Sequence, residues 1–378
     1  MQSSNGLKPG DEKGHEPRDI PSSRWFTTRL LANQDPITPM KTIPLLLLSL
    51  LLCGPLPAQE KTTDAPPAAP TPAKRPAPAP LPDDVEKRSV KIWSDGTRMA
   101  AHLYLPKNRK PEDKLPAVVI CAGTGGTKEN TGGRLGPILA QHGYIALAFD
   151  YRGWGESDSR LMSIEPQPKL NEEHEMTIKV KALRGQMSYA EQTEDIRAAL
   201  SYIVGEPGVD GERIGLWGTS YGGGLVIWSA GNDPRVKCLV AQVPGMGPGS
   251  NPAAAKFAYD LATKQARGET EPVPVETGKL TGALAVYTTM RRNPVKSLGF
   301  NAVEASAKIT APALFVVAEK EELSGNAVVE RVNQDLVKRG VPSDYHVIKG
   351  ITHYGVYNEG FQEATRVELE WFDKHLKR

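Results

Sequence analysis

Gly218-Thr219-Ser220-Tyr221-Gly222 sets one hydroxyl between two glycines. This pattern suits a nucleophile on a tight strand-to-helix turn, where side chains two residues to either side of the serine would collide. The flanks agree, since Arg213 to Trp217 reads as a strand and Tyr221 to Ala230 as an apolar helix. Gly223 and Gly224 ease the contact between the two. A serine attacks a carbonyl when a base takes its proton and an acid orients that base. Three histidines follow Ser220 in the chain: His346, His353 and His375. His346 lies inside a strand-like run and His375 on the charged end of the last helix. His353 follows the final strand in Gly350-Ile351-Thr352-His353-Tyr354, a loop from which an imidazole can reach the serine. The acid is expected just past the strand Ala313 to Val317, where Glu319, Glu321 and Glu322 crowd together. A solvated charge run is the common reading of such a cluster, yet one of the three should orient His353. Glu321 is favoured and Glu322 held in reserve. The developing oxyanion calls for two backbone N–H donors, one from Tyr221 and one from Thr124 in the loop Gly123-Thr124-Gly125-Gly126.

These residues need a scaffold. Arg88 to Trp93 and Arg98 to Leu105 flank Asp95-Gly96, a hairpin signal. Ala117 to Cys121 and Tyr144 to Phe149 are continuous apolar runs suited to strands buried on both faces. Helical patterns over Leu135 to His142, Met187 to Val204, Asn326 to Lys338 and Phe361 to Leu376 alternate with further strands at Val236 to Val243 and Tyr345 to Ile348. The rhythm predicts an α/β fold: a mostly parallel sheet flanked by helices on both faces. Two stretches interrupt it, residues 159–185 and 246–310, the second with helical patches at Ala253 to Gln265 and Gly282 to Arg291. Both follow strand C-termini, where open α/β sheets hold their ligands, so small helical cap insertions over a pocket are expected.

The folded domain is expected over residues 85–378. A basic start at Met40-Lys41, an apolar run from Ile43 to Cys53 and a small residue at Ala58 read as a signal peptide over residues 40–58. Residues 1–39 then read as a non-native extension, and 59–84 as an unpacked Pro/Ala linker. The run is too short for a membrane helix, so the expectation is a secreted or periplasmic protein with no stable membrane insertion. Leu52 is too bulky to favour lipid attachment at Cys53. A net charge of +2 over 378 residues, with no basic face, argues against a nucleic-acid partner. No HExxH, CxxC or His/Asp cluster suggests a metal, and the glycine-rich loop lacks dinucleotide and P-loop spacing, so no cofactor is expected. Cys121 and Cys238 sit in apolar runs and read as buried hydrophobes. Asp150 and Arg152 are expected to pair with each other or the backbone and shape a turn.

Taken together, the chain from about Val85 onward resembles the dienelactone-hydrolase-like and Xaa-Pro-dipeptidyl-peptidase-like branch of the α/β-hydrolase superfamily. The resemblance rests on Gly123-Thr124-Gly125-Gly126-Thr127-Lys128-Glu129, on Phe149-Asp150-Tyr151-Arg152-Gly153-Trp154-Gly155-Glu156-Ser157 and on Trp217-Gly218-Thr219-Ser220-Tyr221-Gly222-Gly223. Asp233-Pro234-Arg235-Val236-Lys237 adds to it. Two departures stand out: Ala122-Gly123 replaces the family's His-Gly, and Glu321 stands where Asp is usual. The resemblance implies an acyl-enzyme mechanism on a small-molecule acyl substrate. It leaves three functions open: an esterase, a prolyl-dipeptidyl peptidase or acyltransferase with the same triad, or an inactive binding domain. The peptidase would draw on cap carboxylates such as Glu165, Glu172, Glu173 and Glu175.

Overall fold

The computed structural model describes residues 80–110, 112–249, 251–271 and 289–377. The expected signal peptide and most of the Pro/Ala linker lie outside these residues, as does most of the helical patch expected at Gly282 to Arg291. Among the described residues, eight strands form one sheet: β1 (Val85–Ser94), β2 (Thr97–Pro106), β3 (Leu115–Cys121), β4 (Ile145–Phe149), β8 (Val209–Thr219), β9 (Cys238–Gln242), β11 (Ala313–Lys320) and β12 (Ser343–Thr352). Their order is β1-β2-β4-β3-β8-β9-β11-β12. β2 runs antiparallel to both neighbours, and every pairing from β4 to β12 is parallel.

Local chemistry explains the elements. Ser94 pairs with Thr97, so the hairpin turns on Asp95 and Gly96 alone. Both have positive φ, 45° and 73°, as this tight turn requires. Every residue of β4 and β9 is buried, matching the apolar runs Ile145 to Phe149 and Cys238 to Ala241; Gln242, the last residue of β9, is buried with hydrogen-bond partners. Side chains alternate across each strand and sort into two cores. Val119, Cys121, Leu147, Leu216 and Phe315 face one side with α2 (Tyr189–Val204), α3 (Tyr221–Asn232) and α6 (Asn326–Lys338). Val118, Ile120, Ala146, Trp217 and Val316 face the other with α1 (Gly133–Gln141) and α7 (Phe361–Leu376). The buried positions of α7 include Ala364, Glu368, Trp371 and Phe372, one face of a helix. Among the described residues, no helix is long and apolar enough to cross a membrane.

The two insertions differ in kind. Residues 159–185 form no helix; their regular structure is an antiparallel ribbon of β5 (Leu161–Ser163) and β6 (Val180–Ala182). Its polar, weakly periodic sequence offers no apolar stripe for a helix to bury. Residues 246–310 do carry helices, α4 (Pro252–Ala266) and α5 (Ala302–Ser306). Asn251 and Asn301 cap them, each amide oxygen accepting two backbone N–H bonds. A short parallel pairing of β7 (Gln186–Met187) with β10 (Arg291–Arg292) joins the base of the two insertions.

Candidate active site

β8 ends at Thr219 and α3 begins at Tyr221, leaving Ser220 alone on the turn between them. Its backbone is strained, at φ 53° and ψ −119°, a conformation that persists only where the surroundings impose it. They do so through four bonds. Ser220 N–H donates to Gln242 at 2.9 Å, and its carbonyl accepts from Gly223, Gly224 and Gly245 at 2.9, 3.3 and 2.8 Å. The glycines are sterically required. A Cβ at Gly218 would sit 2.5 Å from the Gly222 carbonyl oxygen, and one at Gly222 would sit 2.3 Å from that of Cys121.

His353 opens a short helical turn, His353–Tyr357, immediately after β12. β12 is longer than its sequence suggests and delivers the histidine directly. The imidazole is therefore fixed: only 1% exposed, it places Nε2 3.0 Å from the Ser220 hydroxyl and Nδ1 2.9 Å from both Glu321 oxygens. The Glu321 side chain is 2% exposed. Burial favours its protonated form, but the hydrogen bond and charge of His353, with amides of Leu323 and Ser324, hold the carboxyl below its ordinary value. The other two glutamates act on the backbone. Glu322 accepts from His353 N–H at 2.8 Å, whereas Glu319 accepts from Gly350 N–H at 2.8 Å and Lys349 at 3.1 Å. Of the remaining histidines after Ser220, His346 meets Glu363 on the surface and His375 packs on Trp371.

The loop after β3 lies beside the elbow because Cys121 is in register with Gly218. A Cβ on Gly123 would come within 3.1 Å of the Ser220 Cβ, so the backbone entering Thr124 runs against Ser220. Tyr221, on the other side, heads α3, whose N-terminus favours negative charge. Its hydroxyl bonds to Gln192, and its ring lies 4.9 Å from that of Tyr189.

Spacing gave no sign of a second polar chain. The Tyr357 hydroxyl lies 2.7 Å from the hydroxyl of Thr219, the residue before Ser220. Thr219 continues to Gln242 at 2.8 Å, and Gln242 to Glu368 at 2.9 Å. Burial pushes Tyr357 up to about 12 and Glu368 up to about 8. Both cysteines are free and buried, and burial raises both thiols. Asp150 and Arg152 do not pair with each other. Asp150 accepts from the backbone of Lys128 and Glu156, while Arg152 binds Asp195 at 2.7 Å and Ser94 at 2.8 Å. Arg152 needs a buried countercharge, and α2 supplies one that the local sequence does not. Among the described residues, no group of three or more His, Cys, Asp or Glu side chains could hold a metal.

Ser220 opens onto a cavity of about 980 Å³ lined by Tyr189, Met246, Ala254, Phe257 and Phe300 among others. No residue of the β5–β6 ribbon lines it. Glu165, Glu172, Glu173 and Glu175 are exposed on that insertion, away from the lining.

Comparison with known proteins matches residues 89–247 to the acetyl xylan esterase family (AXE1) and residues 185–356 to a family described as alpha/beta hydrolase fold. The chain belongs to the α/β-hydrolase superfamily. Within it, the chain is 26% identical over 304 residues to an uncharacterised 31.7 kDa protein of Escherichia coli, covering 71% of this chain and 94% of that protein. It is 24% identical to the quorum-quenching protein AidA of Acinetobacter baumannii, covering 75% and 94%. The alpha/beta hydrolase GrgF from Penicillium superposes with a TM-score of 0.60 at 19% identity, covering 78% of this chain and all of that one, a likeness of fold alone. The families matched within the α/β hydrolases are of hydrolase and esterase type.

Proposed function

We propose that the protein is a serine hydrolase of carboxylic esters, with Ser220, His353 and Glu321 as its catalytic triad. The observation that carries this reading is the unbroken relay from serine hydroxyl to imidazole to buried carboxylate at 3.0 and 2.9 Å. Glu321 accepts from Nδ1–H and leaves Nε2 as the base. As the Ser220 oxygen bonds to the ester carbon, His353 takes the hydroxyl proton, and the Thr124 and Tyr221 amides face the developing oxyanion. Collapse breaks the bond to the alcohol, which leaves with the proton from His353. Water, deprotonated in turn by His353, releases the acid and regenerates the serine. The acetyl xylan esterase match supports an ester as the scissile bond. An intact relay supports an enzyme over a binding domain, and a ribbon that keeps its glutamates away from the cavity favours an ester over a peptide held by its amino terminus. Export is part of the reading and rests on the apolar run after Met40; N-terminal sequencing of the native protein tests it, and a mature chain beginning before Met40 counts against it.

The decisive experiment is fluorophosphonate labelling of the purified protein beside turnover of short p-nitrophenyl esters. Labelling and turnover are expected for the native chain, and both should vanish in Ser220→Ala. Turnover that survives in Ser220→Ala, or a native chain that takes no label, overturns the proposal.

A further inference from the structure

The cavity above Ser220 has its own chemistry. At about 980 Å³ it lies at the upper end of pockets that enclose drug-sized ligands. An acetyl group would leave almost all of it empty. Its inner wall is aromatic: Tyr189 lies 4.9 Å from Tyr221 and stacks on Phe300 at 4.0 Å, and Trp228 backs Phe300 at 6.2 Å. The outer wall is α4, of which only Ala258 is buried. Phe257 on this helix is 54% exposed and Tyr259 62%, yet both line the cavity. Large aromatics left in solvent at a cavity mouth mark a surface that apolar ligand covers. Polar side chains line it as well, Ser297 and Ser324 among them. The amide oxygens of Asn251 and Asn301 are committed to capping α4 and α5. Among the described lining residues the charged side chains are Arg292 and Glu304, both on the exposed rim. Among the described lining residues the aromatic and aliphatic side chains, with Met187, Met246, Leu298, Leu323 and Val328 beside the rings, outnumber the polar ones.

Resting on Ser220 as the nucleophile, we propose that the preferred substrates are esters carrying a bulky apolar acyl group, a medium-length alkyl chain or an aromatic acid, laid between the Tyr189–Phe300 stack and α4. Each methylene buried in the transition state adds to kcat/KM, and two are worth about tenfold when fully buried.

The test measures kcat/KM for p-nitrophenyl acetate, butyrate and octanoate, with fluorophosphonate labelling in parallel. Octanoate is expected to exceed acetate by at least tenfold. Ala255→Trp on α4 and Val303→Trp on α5, which add bulk to the cavity lining, should each lower the octanoate-to-acetate ratio at least fivefold while still labelling at Ser220. Two variants on separate helices guard against one that fails to fold. A labelled enzyme that prefers acetate, or a ratio unmoved in labelled forms of both variants, overturns the inference and leaves the hydrolase reading standing. Absence of labelling in the native protein overturns both.

Discussion

Three glutamates crowd into four residues at the end of β11, and the fold gives them three different tasks. Glu321 alone meets the imidazole, Glu322 holds the His353 backbone, and Glu319 ties down Gly350. Glutamate at the acid position reaches Nδ1 with both oxygens at 2.9 Å while also accepting from Leu323 and Ser324. Its extra methylene, relative to aspartate, is thus taken up by a turn that closes on the carboxylate. Glu321→Gln should lower kcat by roughly 10²–10⁴, because an amide at this position no longer favours the tautomer that leaves Nε2 as base. Glu322→Gln keeps an oxygen for the His353 N–H and should lose no more than a few-fold. Glu319→Gln, on the surface, should stay within about twofold. Steady-state kinetics on a p-nitrophenyl ester separates the three; equal losses in all of them would contradict the assignment.

At the scale of elements, α3 packs so closely on its neighbours that only glycine fits: Gly218 where β8 meets it, Gly222 beside the end of β3, and Gly224 against the segment after β9, where a Cβ would lie 1.9 Å from the Gly245 carbonyl oxygen. Backbone cannot rotate out of the way as a side chain can. Gly224→Ala should therefore destabilise by about 1–3 kcal/mol and reduce activity with it. Gly211→Ala is the matched control, with only Val204 near at 3.6 Å, and should stay within about 0.5 kcal/mol. Thermal unfolding of the two variants against the native chain measures the difference. The Gly-x-Ser-x-Gly spacing makes this elbow legible, since few other sequences tolerate that crossing. The ribbon of residues 159–185 is not legible in the same way, because short, exposed, polar strands carry no periodic apolar signal.

Across the whole molecule, one buried carboxyl links the sheet to its last helix. Glu368 on α7 is 2% exposed and accepts from Gln242 on β9. Burial lifts it from 4.5 to about 8, so the folded chain keeps a proton that the unfolded chain releases at lower pH. The folded state binds more protons between those values, and stability falls as pH rises through that window. The contribution is complete below about 4.5 and gone above about 8. Glu368→Gln keeps the oxygen that Gln242 needs and carries no titrating proton. Urea unfolding at pH 5 and pH 8.5 should show the native chain losing stability relative to this variant. The loss should be on the order of a few kcal/mol, since each tenfold difference in proton affinity between the folded and unfolded chain is worth about 1.4 kcal/mol. Parallel pH dependence in the two proteins would place the carboxyl elsewhere.

Glycine spacing and apolar period already specify the strand–turn–helix elbow at Ser220, the order of Ser220, the glutamate cluster and His353 along the chain, and the alternation that makes a doubly covered sheet. These are short-range facts: glycine spacing, apolar period and turn residues act within a few positions of one another. Tertiary structure alone decided which glutamate meets His353, because a one-residue choice among neighbours depends on where β12 delivers the imidazole. It also decided that Asp195, 43 residues away, neutralises Arg152, and that Tyr357, Thr219, Gln242 and Glu368 form one buried chain. Contacts between residues far apart in sequence leave no periodic trace; they exist only once the sheet has brought their strands together.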